Sequence, residues 1–104
     1  MAKYLLVYHG GGMAEGEEAQ AASMAAWGAW FEKLGPALAD GGNPCGQAKT
    51  ISGDTVSDGG GANPATGYSL IEADSLDAAA GLAKGCPVLQ SGGSVEVAET
   101  FNVM

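Results

Sequence analysis

Residues 3–9 read Lys-Tyr-Leu-Leu-Val-Tyr-His and run directly into Gly10-Gly11-Gly12. Alternate side chains of an extended chain point to opposite faces, so Tyr4, Leu6 and Tyr8 share one face and Leu5, Val7 and His9 the other. Apolar groups on both faces predict a central strand, covered on each side, and the glycines end it. The run is too short for a signal-peptide apolar region or a membrane span, so no targeting segment is expected and the chain reads as cytoplasmic.

Dense punctuation cuts up the rest of the chain without a linker long enough to separate domains, so residues 1–104 are read as one domain. From Glu17 to Leu34 an Ala-rich stretch puts Met24, Trp27, Phe31 and Leu34 on one side of a helix, with Trp30 widening the stripe. Glu15, Glu17 and Glu18 sit where the helix dipole favours acids, and Gly35-Pro36 supplies the stop. After the loop Asp40-Gly41-Gly42-Asn43-Pro44, alternation from Gln47 to Ser52 predicts an edge strand guarded by Lys49. Residues 53–66 read as a hairpin connection, with Asp58-Gly59 as turn residues, and Tyr68 to Ala73 as the next strand. Ser75 caps a second helix, Leu76 to Lys84, whose apolar line is Leu76, Ala79, Ala80 and Ala83 and whose end is marked by Gly85 and Pro87. Val95 and Val97 alternate with Ser94 and Glu96 in a last strand, and Phe101 to Met104 form a tail.

The order strand, helix, strand, strand, helix, strand, joined by right-handed crossovers, predicts an α+β fold. It is a ferredoxin-like βαββαβ unit with an antiparallel sheet whose first and third strands are central. Two helices cover one sheet face, and nothing in the chain covers the other. Composition sharpens this point. Leu, Ile, Val and Phe together supply 18 of 104 residues, while Ala alone supplies 19, so bulky core material is scarce. A second copy packed face to face is the economical solution, and a homodimer is expected.

Charge excludes several partners. Four lysines and no arginine stand against twelve acids, for a net charge of −8. Nucleic acid needs a basic footprint and an anionic membrane surface needs the same, so neither is expected as a partner. The missing arginine also weakens any site that would clamp a carboxylate or phosphate in a fork. The acid excess, concentrated in residues 53–104 with seven acids against one lysine, reads as a solubilising surface.

The motifs that promise chemistry are incomplete. Gly10-Gly11-Gly12-Met13-Ala14-Glu15 lacks the last glycine of a dinucleotide fingerprint, and Glu17 stands where a P-loop lysine belongs. Asp54-Thr55-Val56-Ser57-Asp58-Gly59 opens like a calcium loop, but Val56 replaces a ligand and Ala65 replaces the bidentate acid. One His and two unpatterned Cys, Cys45 and Cys86, do not make a zinc site, and both cysteines read as free thiols. No metal and no cofactor is expected. His9, at the exit of the central strand, is the one side chain that titrates near neutrality unaided, so His9 and Asp58 are the candidate catalytic pair, with Asp40 an alternative orienting acid, against the alternative that His9 is a half-buried strand-end histidine bonded to backbone. Tyr8, Trp27 and Trp30 are candidates for an apolar ligand pocket, against the alternative that they are core.

Several segments together resemble a known family. They are Lys3-Tyr4-Leu5-Leu6-Val7-Tyr8, Val56-Ser57-Asp58-Gly59, the run from Gly67 to Ala79, Gly85-Cys86-Pro87 and Gly92-Gly93-Ser94-Val95-Glu96-Val97. In this order they resemble the YCII-related family, specifically its DGPF branch. The resemblance implies a ferredoxin-like fold that pairs into a dimeric α+β barrel. The absent arginine and the lack of a complete metal or catalytic motif favour a protein that binds a small organic molecule in a cleft of the dimer; the alternatives are a cofactor-free acid/base enzyme of lyase or isomerase type on a small cyclic compound and, as the resemblance implies, an accessory module associated with a sigma factor. The resemblance also implies a His and Asp pair around the first helix, but the matching positions here are Met24 and Lys33, so that pair is not carried. Gly60-Gly61 likewise replaces the Pro-Phe of the branch signature, removing a rigid turn residue and an aromatic anchor.

Overall fold

The computed structural model describes residues 2–11, 16–101 and 103. The stretch 12–15, which holds the third turn glycine and the first helix acid, and Asn102 and Met104 of the tail lie outside the described residues. The elements are β1 (Ala2–His9), α1 (Glu17–Leu34), β2 (Leu38–Asp40), β3 (Lys49–Ser52), β4 (Thr55–Asp58), β5 (Ala65–Ala73), α2 (Leu76–Ala83) and β6 (Ser94–Glu99), with short 3-10 turns at Gly35–Ala37 and Pro87–Ser91. They build a small α+β fold whose main sheet is four-stranded and antiparallel, in the order β2-β5-β1-β6. That order is consistent with a ferredoxin-like arrangement. β1 and β5 lie in the middle, as the two-sided apolar pattern of β1 requires.

One face of this sheet holds the core. Tyr4, Leu6 and Tyr8 of β1 and Ile71 and Ala73 of β5 are buried against Trp30 and Leu34 of α1 and Ala79 and Ala83 of α2. Alanine on α2 leaves room for the helix to lie close to the strands, and Ser75 caps it by accepting a hydrogen bond from the Ala78 amide at 3.1 Å. At the end of α1, Gly35 takes φ 54°, a left-handed conformation that glycine adopts without strain.

Two expectations change. The strand around Gln47–Ser52 does not border the main sheet. That edge is β2, while β3 pairs with β4 in a two-stranded sheet of its own. The cause is local: Gly53-Asp54, with Gly53 at φ 59°, makes a two-residue hairpin turn inside the stretch expected to be a plain connection. Pairing across two residues costs far less chain entropy than pairing across fourteen. The helix stripes are also shorter than expected. Met24 is 76% exposed and Leu76 46% exposed. The alanines at 19, 21, 22, 25 and 26 offer little apolar area, so α1 is anchored only from Trp27 onward, where the aromatics begin.

Candidate functional site

The strand register sorts the side chains by face. Leu5 and Val7 of β1 stand opposite Leu70 and Tyr68 of β5 and opposite Ala98 and Glu96 of β6. These residues alternate with the buried set, so they occupy the face away from the helices. The helix side chains that are buried all belong to the core on the other face. The result is a half-exposed apolar floor of Leu5, Val7, Tyr68, Leu70 and Ala98.

His9 sits at one end of that floor. Between Tyr8 and His9 the pairing with β5 skips Thr66 while the register with β6 is kept, and the His9 ring is nearly buried. His9 Nε2 lies 3.1 Å from Glu96 Oε1 and Nδ1 lies 3.3 Å from the carbonyl oxygen of Pro64. Both partners are acceptors, so both contacts are hydrogen bonds only when both ring nitrogens carry a proton. The Glu96 carboxylate accordingly raises the imidazole pKa above 6.5, partial burial opposes it, and backbone acceptors around Pro64 add to the rise. The geometry therefore favours an imidazolium that bridges the start of β5 to β6. It can release a proton, but as a base it would first have to break one of the two contacts.

The residues singled out in the sequence do not gather at one place. Asp58 is on β4, where its carboxylate accepts a 2.6 Å hydrogen bond from Lys49 Nζ across the hairpin, with both side chains well exposed. Asp40 accepts from the Gly42 amide at 2.8 Å, closing a turn at the end of β2. The carboxylate beside His9 is instead Glu96. Its signal was present in the sequence: in an antiparallel pair with His9 opposite Ser94, the residue two along is the diagonal neighbour on the same face.

Tyr8, Trp27 and Trp30 do come together, but as core. Tyr8 and Trp27 meet edge to face at 5.0 Å, Trp27 and Trp30 at 5.8 Å, and Phe31 joins both indoles. The Trp30 indole donates to the Leu82 carbonyl at 3.2 Å and tethers α1 to α2. Its outer edge lines a shallow groove of about 230 Å³ with Ala26, Ala29, Lys33, Gly85, Pro87 and Gln90.

Beneath the cluster, Tyr8 donates to Ser69 Oγ at 2.7 Å, and Ser69 donates in turn to the Gly41 carbonyl at 2.7 Å. Burial raises the Tyr8 phenol to about 12 and the nearby Cys86 thiol to about 11. Cys86 is buried, Cys45 is exposed, and both are free thiols. Among the described residues, no three His, Cys, Asp or Glu side chains stand close enough to hold a metal ion, and no helix is long and apolar enough to cross a membrane. No protein-family model matches the chain, and no curated protein matches it.

Proposed function

We propose that this chain is a divergent YCII-related protein of the DGPF branch, a ferredoxin-like unit that pairs into a dimeric α+β barrel and binds a small organic molecule between the paired sheets. The observation that carries the reading is the uncovered floor of Leu5, Val7, Tyr68, Leu70 and Ala98, an apolar surface on a central sheet with the polar pair His9 and Glu96 at its rim. Apolar walls with a few convergent polar groups are the usual make-up of a ligand pocket. Facing two such floors would enclose one.

The test couples assembly to binding. Light scattering at micromolar concentration should give a dimer, and a thermal-shift screen of small cyclic compounds, neutral and anionic, should find ligands that raise Tm. Val7→Asp, which puts a charge in the middle of the floor, should abolish the ligand-induced shift. A monomer, or ligand shifts that Val7→Asp leaves unchanged, would overturn the reading.

One observation favours a second reading. A nearly buried imidazole held by a carboxylate is the pairing used for proton transfer, with His9 as the acid and Glu96 as its orienting partner. In that case compounds found in the screen would be turned over without added cofactor, and His9→Gln would retain binding while losing turnover.

A further inference from the structure

The β3–β4 hairpin stands apart from the rest of the fold. Among the described residues it pairs only with itself, and all eight of its strand residues are exposed. Its two faces differ in kind. Thr50, Ser52, Thr55 and Ser57 lie on one face, and the other carries Ile51 opposite Val56 and Lys49 opposite Asp58. Ile51 is 70% and Val56 59% exposed. A two-stranded ribbon without a third strand or a helix against it is only marginally stable in water, so an amphipathic one with an open apolar face gains stability from whatever covers that face.

The molecule is also open for its size. The chain exposes 7143 Å², whereas a compact monomer of its 10.3 kDa exposes about 5,350 Å². Its radius of gyration is 14.9 Å, against about 13 Å for a compact chain of this length. The molecule is a slab, 43 × 43 × 18 Å. The excess, roughly 1,800 Å² per chain, falls within the roughly 1,000–2,500 Å² that each partner contributes to an obligate homodimer interface and is about twice a standard transient one. Charge also permits self-association here. The whole chain carries −8, but residues 47–59 hold one lysine and two aspartates, and Lys49 neutralises Asp58 directly.

We infer that the β3–β4 hairpin is a dimerisation arm: it reaches onto a second copy of this chain, which covers the face that carries Ile51 and Val56. A hollow of about 640 Å³ at the base of the arm, lined by Gln47, Ala48, Lys49, Asp58 and Gly59, leaves space for the partner's surface. Two arms exchanged about a two-fold axis close the assembly at two chains, with no free arm to propagate it. The inference rests on the homodimer proposed above and adds which segment locks it.

Sedimentation equilibrium on the wild-type chain and on the double variant Ile51→Ser/Val56→Ser tests it. Because all four apolar side chains of the two arms are removed, the dimer dissociation constant should rise at least a hundred-fold, while circular dichroism remains that of a folded chain. Hydrogen exchange on the wild-type protein supplies a readout that needs no variant: amides 49–58 should be slow in the dimer and should lose protection on dilution to monomer. A wild-type chain that sediments as a monomer removes the homodimer and the arm together. A wild-type dimer that the double variant leaves equally tight, or whose hairpin amides exchange as fast as free loops, overturns the arm and leaves the dimer standing.

Discussion

Ser69→Ala should destabilise the protein more than Tyr8→Phe, although both remove one hydroxyl from the same chain of hydrogen bonds. Ser69 is fully buried on β5, accepts from the Tyr8 hydroxyl and donates to the Gly41 carbonyl, each at 2.7 Å. Its loss leaves the Tyr8 hydroxyl buried with no partner, at about 1–3 kcal/mol, and removes the bond to Gly41, at about 1 kcal/mol, for a total near 2–4 kcal/mol. Tyr8→Phe costs only about 0.5–1.5 kcal/mol, because Ser69 still donates to Gly41 and no donor is stranded. In the double variant the stranded hydroxyl is gone, so its cost should fall short of the sum of the singles by about 1–2 kcal/mol. Urea unfolding at one fixed protomer concentration measures all four forms, and the Ser69→Ala midpoint should drop by roughly 1–2 M. Burial of the same phenol sets an alkaline limit. Loss of water around the Tyr8 hydroxyl raises it to about 12 against 10.0 for the free side chain, with the Ser69 hydrogen bond pulling the other way, so the neutral phenol's contribution is whole below pH 10 and is lost as pH rises toward 12. Additive costs, or Tyr8→Phe as damaging as Ser69→Ala, would refute the network as the tie between the sheet and the loop after β2.

Three further outcomes are expected. Gly42→Ala should destabilise by more than about 3 kcal/mol or prevent folding, since a Cβ there would lie 1.8 Å from the Tyr68 carbonyl oxygen at a φ of 71°. By contrast Gly28→Ala, in the exposed middle of α1, where an added Cβ meets nothing within 4 Å among the described residues beyond its own stretch of helix, should stabilise by about 0.5–1 kcal/mol, and thermal melts of the two variants decide between these signs. The single histidine allows its titration to be followed directly by proton NMR: the His9 midpoint should lie above 6.5 and should fall toward it in Glu96→Gln. A raised folded value means that the His9 bridge stabilises fully below pH 6.5 and fades as pH climbs through the folded midpoint, and a midpoint unmoved by Glu96→Gln would show that the bridge is absent in solution.

The elements that could be read from the sequence are those in which local pattern and tertiary burial agree. β1 declared itself by apolar groups on both faces, α2 by Ser75 at one end and Gly85 at the other, and β6 by the alternation of Val95 and Val97. β2 was missed because Leu38-Ala39-Asp40 is three residues long and follows a helix stop, so it carries no period of its own and is a strand only because β5 lies beside it. The hairpin was missed for the opposite reason. Gly53-Asp54 is a sound local turn, but it lies in a Gly-rich stretch where Asp58-Gly59 competes for the same reading, and Asp58 is in fact the strand residue that pairs with Lys49.

The candidate site divides along the same line. His9 was visible as the only imidazole at the exit of a central strand, while its partner depends on register, which composition and spacing do not carry. Asp40 and Asp58 look no different from Glu96 as partners for His9 until β6 is laid antiparallel beside β1 and His9 falls opposite Ser94. The aromatic trio illustrates the converse. Helical spacing brought Trp27 and Trp30 together correctly, but only the sheet shows that Tyr8 points into the core while Leu5 and Val7 point to the open side. The open floor, rather than the aromatic cluster, is the surface that the proposed binding would use. That floor is also the surface a second chain would cover, so ligand affinity and dimer stability should be linked, each raising the other by the same factor.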